Sequence, residues 1–534
     1  MRRMIKQIWD WFWRRPIYYD AILFSLLTLS LLWNPYYLYQ TLNLFELGLY
    51  LPGIDGILHG QVPYRDFFHL RGPFELYLPA FLMRLSGQHI AVLSTYFYIG
   101  NVLTLMICGW LACSIYPSRL FFYSMAFVLI TRTFPRVVFT YWGGMRYVWG
   151  LLAVLCLVWF LKKNQKRWIL MAGLLTATAG FTSVEIGWSA FAAFITVIVF
   201  DLRRRQILSL FSAGVGIIAV PYLLYLFHQN ALGDYINAQW VVATHMTKTF
   251  FQTEVVPSDL GQFLHAVFIV SDKNFRQLTP VYCYLAFAFY LFWRWRQAQM
   301  DWQDKAAGVI AMYGLTIYAT GFRNLWSNVF EMALQPEKIV LFYLWAGLYL
   351  HLSQQHYKKI SYVLILLVIS FSLGYSVNRF CKRFRQFHFR PLKESFFALD
   401  LPRAKNLKIP RWQAADLIQL KQFVDGHTNP GESVWMYPEL GALHFILDRP
   451  CVGKFPTATL AWMDEQWYAQ YMRELMLRKP RYAIVNKATP DYFEKAYFPA
   501  PGNREKFWTQ TNYLKLHYSL ISSTPTYNIY LRQN

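Results

Sequence analysis

Long apolar runs separated by short polar connections dominate this chain. They fall at roughly 19–38, 90–113, 119–138, 147–161, 168–182, 187–201, 207–227, 278–293, 306–321, 339–352 and 360–376. Runs of roughly 17–25 apolar residues suffice to cross a hydrocarbon core as helix, so the pattern predicts about eleven spans. Beyond about residue 377 the pattern changes. Trp412 to Val424 and 462–478 have helical periodicity, whereas Ser433–Tyr437, Tyr482–Val485 and Tyr527–Leu531 read as short strands. The expected fold is an α-helical polytopic membrane protein with a small C-terminal α/β domain.

Charge in the connections sets the orientation. Lys162-Lys163-Asn-Gln-Lys166-Arg167, Arg203-Arg204-Arg205, Arg294-Trp-Arg296 and Lys358-Lys359 all fall on one side. The alternate connections (after the first run, 131–146, 182–186, 228–277 and 321–338) are poorer in Lys and Arg for their length. The positive-inside rule then places the N-terminus in the cytoplasm, and an odd number of spans places the C-terminal domain outside. The opening MRRMIKQIWDWFWRRP lacks the small-residue cleavage site of a signal peptide, so the first run reads as a retained helix. Three parts follow: a membrane domain over 1–376 with a first outer loop at 41–89, a basic connector at 377–411 lying on anionic head groups, and an extracytoplasmic domain at 412–534.

Composition agrees. Of the 534 residues 56% are hydrophobic and 15% charged, against about 25% charged in soluble proteins. The net charge of +23 is accounted for by membrane orientation and anionic lipid, and no nucleic-acid-binding motif accompanies it. Cys108, Cys113, Cys156 and Cys283 fall in the apolar runs without a CxxC pair, which argues against zinc or redox chemistry. Cys381 and Cys451 lie outside them, where free thiols or a disulfide are both open.

Against this sparing use of charge, the first outer loop stands out. Between residues 46 and 75 it carries four carboxylates (Glu46, Asp55, Asp66 and Glu75), two arginines (Arg65 and Arg71) and two histidines (His59 and His69). Charge beside a membrane is costly, so such a cluster marks a site more often than a spacer, though the acids can also simply pair with the arginines. A short amphipathic helix is expected after Glu46. Turns at Gly60–Pro63 and Gly72-Pro73 would return Asp66 to the membrane face. Two carboxylates there can deprotonate a hydroxyl or share a divalent cation such as Mg or Mn.

An acid at the outer end of the first span, then Gly60-Gln-Val-Pro-Tyr-Arg-Asp-Phe67 and Gly72-Pro73, resembles the C-type glycosyltransferase superfamily. These are polytopic enzymes that include aminoarabinose and protein O-mannosyl transferases. Where the family often has an Asp-Glu pair, this chain has Phe45-Glu46. The resemblance implies transfer of a sugar from a polyprenyl phosphate to a glycan, lipid or protein acceptor, with inversion, at the outer face of a bacterial inner or plasma membrane. It implies Glu46 as base and Asp66 as the second acid, with a metal at that pair in some members.

Arginine forks and lysines suit the departing phosphate, and the outer connections supply Arg71, Arg146, Arg323 and Lys338, with Arg132 and Arg136 nearby. Arg65, His69, Asp55 and Glu185 are expected in support, and Asp55 and Glu75 in structural roles. Glu185 reads equally as a helix-start acid or a cavity residue. His245 and His265 are too far apart for a helical metal pair, and Glu331 carries little. The 228–277 connection is long enough to be a lid. A transporter of lipid-linked saccharide, or a glycan-binding membrane protein, are the alternatives from other classes.

Overall fold

The computed structural model describes residues 16, 18–32, 38–39, 41–116, 118–133, 145–201, 203–246, 261, 265, 275–320, 335–354, 357–393, 396–456, 462–488, 494 and 502–533. Among the described residues, a helix covers most of each of the eleven apolar runs. In chain order these are α1 (Tyr18–Leu32), α5 (Ile90–Ile115), α6 (Arg119–Thr133), α7 (Met145–Lys163), α8 (Arg167–Thr182), α9 (Val184–Phe200) and α10 (Arg204–His228). They continue with α12 (Phe275–Arg296), α13 (Trp302–Thr320), α14 (Gln335–Gln354) and α15 (Lys358–Lys393). Among the described residues α5, α7 and α10 are long and apolar enough to cross a membrane by length and composition. The first outer loop folds as α2 (Leu44–Gly48), α3 (Leu51–Leu58) and α4 (Phe74–Ser86), and α11 (Leu232–Val241) follows α10.

The two sets of connections segregate to opposite ends of the bundle. At one end Arg203 donates to Asn164 at 2.6 Å, Lys162 lies 5.3 Å from the Trp302 ring, and Arg119 pairs with the buried Asp20 at 2.7 Å. There too the buried Asp304 accepts from Arg294, Tyr290 and Tyr343, stitching α12, α13 and α14 together. At the other end Gly72 N–H donates to the Thr182 carbonyl at 3.1 Å, and Arg65 to the Gln229 carbonyl at 3.0 Å. The alternation read from Lys and Arg therefore matches the way the helices run.

The C-terminal unit is a four-stranded sheet of order β3-β4-β6-β5, built from β3 (Trp435–Tyr437), β4 (Tyr482–Asn486), β5 (Tyr518–Ser523) and β6 (Tyr527–Arg532). β3 runs parallel to β4, and β6 is antiparallel to both its neighbours. Side chains alternate across a strand, and here both faces are covered. Met436, Ile484 and Ile529 pack against α16 (Arg411–His427) and α17 (Gly441–Leu447). Trp435, Tyr437 and Ala483 pack against α18 (Glu465–Arg478) and α19 (Asn503–His517).

The structure adds to two sequence expectations here. In the connector, read from the sequence only as basic and interfacial, α15 runs on without a break to Lys393, and β1 (Phe396–Ala398) pairs antiparallel with β2 (Lys408–Pro410). The C-terminal unit is also not separate from the membrane region, because the first outer loop shares its cores. Leu47, Tyr50, Leu51, Ile54 and Leu76 join Leu417, Leu443 and Ile484 in one apolar cluster. Polar clasps register the two parts. Gln413 makes two hydrogen bonds of 2.9 Å to the Leu42 backbone, and Arg403 bridges Asp55 and Asp448. Cys381 and Cys451 are both free thiols.

The closest approach in this interface is at Gly48. A Cβ there would fall 2.8 Å from the Ala442 amide nitrogen and 2.9 Å from Gly441 Cα, and backbone cannot yield as a side chain can. Overpacking of this kind costs about 1–3 kcal/mol. Gly48→Ala is expected to lower the melting temperature in detergent and to speed proteolysis between α15 and α16; an unchanged melt would show that the two parts do not depend on this contact.

Candidate functional site

The site is built by the turns of the first outer loop. Asn43 caps α2 by accepting the Glu46 amide at 3.1 Å, which sets Glu46 in the first turn, half-buried. Tyr50 bridges α2 and α3 and is 1% exposed. After α3 the chain turns at Gly60, whose φ of +80° suits glycine, and Asp66 closes the next turn by accepting the Val62 amide at 2.7 Å. Tyr64 hydroxyl donates to the Arg71 carbonyl. Gly72 then docks on the α8–α9 turn so closely that a Cβ would lie 2.0 Å from the Phe181 carbonyl oxygen. Pro73 follows and α4 begins, bringing Arg71 and Glu75, four residues apart, to one face.

What converges is a buried ion pair with two supports. Arg71 Nη1 stands 3.1 Å from Glu75 Oε1 and also donates to the Tyr50 hydroxyl, which itself donates to Glu75 at 3.4 Å. His69 Nδ1 meets the Leu49 carbonyl at 3.1 Å, so it carries the proton, and Nε2 faces Glu75 Oε2 at 3.7 Å. Both His69 and Glu75 are 2% exposed. Burial pushes the Glu75 carboxyl up, but Arg71, His69 and Arg146 together outweigh it and hold its pKa below the ordinary carboxylate range. Glu75 is thus an anion whose job is to hold the arginine.

Arg146, in the first turn of α7, approaches from the bundle. Its Nη2 donates to Tyr147 at 2.8 Å, and Nη1 lies 3.6 Å from Glu185 Oε1. Glu185 is in the first turn of α9 and also accepts from Ser183 at 2.6 Å. It is therefore a helix-start acid and a cavity residue at once. Arg146 is 6% exposed, yet its Nε has no hydrogen-bond partner among the described residues. The charges of Glu46, Glu185 and Glu75 all act on Arg71, and that of Arg146 acts on Tyr50 and Glu75, so these groups form one electrostatic unit.

Asp66 is engaged by local partners. Arg65 grips both its oxygens at 2.8 Å and the Val62 amide takes a third bond, so hydrogen bonding lowers its pKa against a modest burial effect. It is a turn-closing group. The acid that the fold brings against Arg71 is Glu75, expected from the sequence in a structural role. A signal for it existed: Glu75 is the sole charge between Pro73 and Met83, four residues after Arg71. Asp55 pairs with Arg403 at 2.7 Å. Arg65 serves Asp66 and Gln229, and Asp234 of α11 pairs with Lys454 at 3.1 Å.

Lys338 lies buried in the first turn of α14, where its charge acts on Cys108 of α5, deeper than Arg71. Arg136, Arg323 and Glu331 fall outside the described residues. Among the described residues no three of His, Cys, Asp and Glu converge on a metal-sized site. A cation shared by Glu46 and Asp66 would have to displace Arg65.

Removing the Glu75 charge leaves Arg71 buried and uncompensated, an effect worth about 3–5 kcal/mol. Because the folded pKa is depressed, this stability is fully present above the ordinary glutamate value of about 4.3 and is lost as pH falls through the lower folded value. Glu75→Gln is expected to melt well below the parent at neutral pH, with the gap constant above about pH 5 and narrowing below it. Parallel melting curves down to acid pH would show that Glu75 is not ionised in the fold.

No family model and no curated protein matches the sequence. The fold has solved counterparts. The crystal structure of ArnT from Cupriavidus metallidurans bound to undecaprenyl phosphate is similar with a TM-score of 0.53 and 10% identity, over 95% of this chain and 97% of that one. Its apo state gives a TM-score of 0.50 at 11% identity over the same shares. Over nearly its whole length the chain has an ArnT-like fold.

Proposed function

We propose that this chain is an integral-membrane glycosyltransferase that takes a sugar from a polyprenyl phosphate and passes it to an acceptor hydroxyl at the extracytoplasmic face. One observation carries the reading: a part-buried arginine, Arg71, and a buried one, Arg146, both act on Tyr50 and Glu75 at one end of an apolar bundle, and the charge of a half-buried carboxylate, Glu46, acts on Arg71. The poverty of Lys and Arg in the connections at that end supports the outer placement. The fold likeness to a protein crystallised with undecaprenyl phosphate supports the donor class.

The chemistry follows from burial. Glu75 is locked by Arg71, Tyr50 and His69 and is too enclosed to meet an acceptor. Glu46 is the more accessible acid and is the base. It takes the acceptor hydroxyl proton as the acceptor oxygen forms its bond to the anomeric carbon. The bond from that carbon to phosphate breaks, its electron pair leaves with the phosphate oxygen, and the centre inverts. Charge develops on the leaving phosphate, and Arg71 and Arg146, fixed beforehand in a poorly hydrated site, stabilise it. Asp66 holds the loop that presents these groups. No step here needs a divalent cation.

Glu46→Gln is expected to lose about 10²–10⁴-fold in sugar transfer from a polyprenyl-phosphate donor while still binding undecaprenyl phosphate. Full transfer by this variant would remove Glu46 as base. Movement of the lipid-linked sugar across proteoliposomes with no new glycosidic bond would make the protein a transporter.

A further inference from the structure

Beneath the arginine pair, the bundle interior keeps a second unspent hydrogen-bond donor. Tyr313, in the middle of α13, is 1% exposed, and its hydroxyl has no partner among the described residues. A buried hydroxyl left unpaired is costly and rare, so each such group asks for an explanation. Its location supplies one. The hydroxyl lies against α7 so tightly that a Cβ on Gly150 would be 2.4 Å away, and Gly150 is one helical turn below Arg146 on the same face. The absence of a side chain at residue 150 leaves room for the phenol to reach that face.

The groups around it include a cation, an anion and a second phenol, Tyr147. The charges of Arg146 and Glu185 act on Tyr313, and so does Cys108 of α5, on which Lys338 of α14 acts in turn. Helices α5, α7, α13 and α14 pack on one another and converge on this point. Arg146 and Tyr313 are thus two buried donors whose charges and dipoles meet, and both Arg146 Nε and the Tyr313 hydroxyl lack an acceptor among the described residues. An anion with several oxygens satisfies such a set, and phosphate fits arginine forks particularly well.

We propose that Tyr313 is a further binding residue for the donor phosphate, donating its hydroxyl to one phosphate oxygen while Arg146 holds another. The inference rests on the lipid-phosphate reading above and adds depth to it. The phosphate sits inside the outer end of the bundle, between Arg146 and Tyr313, and the sugar projects outward towards Glu46. The phenol contributes geometry without adding charge, so it fixes where the phosphate sits and thereby where the anomeric carbon faces the base.

Tyr313→Phe tests this, because it removes one oxygen and keeps the ring. Undecaprenyl phosphate and undecaprenol are compared as ligands of the full chain in detergent, with inorganic phosphate as competitor. A hydrogen bond to a charged group corresponds to a loss of about 10- to 100-fold in affinity. That loss is expected for undecaprenyl phosphate alone, with undecaprenol binding unchanged, the ligand-free melting temperature unchanged or higher, and no displacement by equimolar inorganic phosphate. Equal affinity of the variant and parent for undecaprenyl phosphate would overturn the inference, as would a lower ligand-free melt with equal losses for both lipids. Displacement by equimolar phosphate would assign the pocket to the free ion and overturn it too. Arg146→Gln separates the two readings. If it loses the preference for phosphate and Tyr313→Phe keeps it, only Tyr313 is misplaced; if the parent itself shows no preference, the lipid-phosphate reading fails.

Discussion

The structure of the outer end depends on burying Arg71 against Glu75. Neither charge can enter a site this dry alone, because desolvation of one ion exceeds what any neutral neighbour returns. Everything around the pair acts to make the burial tolerable. The i,i+4 spacing across the start of α4 sets the two side chains together, Tyr50 relays a hydrogen bond between them, and His69 faces the remaining oxygen. Gly72 lets the intervening backbone press against Phe181 and Thr182, which ties the pair to the α8–α9 turn where Glu185 and Arg146 meet. One ion pair thus registers a soluble loop against the membrane helices.

The C-terminal unit completes that registration from above. Its helix α17 seats against α2 at Gly48, and Leu47, Tyr50 and Leu51 enter its apolar core. Because Glu46 and Tyr50 flank this contact in sequence, the position of Glu46 is set by a domain nearly four hundred residues downstream. The unit therefore acts as a clamp on the site from a distance, and its own sheet needs no catalytic group to matter for activity. Lys454 extends the clamp, donating a side-chain bond to Asp234 of α11 while its carbonyl accepts from Phe68.

What was legible in the sequence was what periodicity and local charge encode. Among the described residues helix covers most of each of the eleven apolar runs, and the Lys and Arg bias separated the two ends of the bundle. Strands β3, β4 and β6 were visible because both their faces are apolar. β5 was not: it is an edge strand of mixed polarity, Tyr-Ser-Leu-Ile-Ser-Ser, with an irregular pairing between Leu520 and Ser522. The loop 41–89 was recognisable as a site by charge density alone. Which of its acids mattered was not, since Asp66 and Glu75 differ only in what folding brings to them. Asp66 met its own neighbour Arg65 and a local amide; Glu75 met Tyr50 and His69 across three turns. Local partners can be read from spacing, but long-range burial cannot.

The distribution of charge across the cluster gives the site a direction. Three acids and two arginines lie in it, and they do not cancel evenly. Glu75 is spent on Arg71 at 3.1 Å, whereas Arg146 has only Glu185 at 3.6 Å, and Glu185 is part-exposed and also engaged by Ser183. Water screens that second pair more than the first, so uncompensated positive charge remains on the bundle side at Arg146. The remaining acid, Glu46, lies in the first turn of α2, and its charge acts on Arg71. A base and a phosphate-binding cation placed together would neutralise each other. Glu75 limits that neutralisation at Arg71, which already has its counter-ion at 3.1 Å. For the transfer proposed above, such an arrangement would leave Glu46 free to accept a proton and Arg146 free to stabilise a departing phosphate.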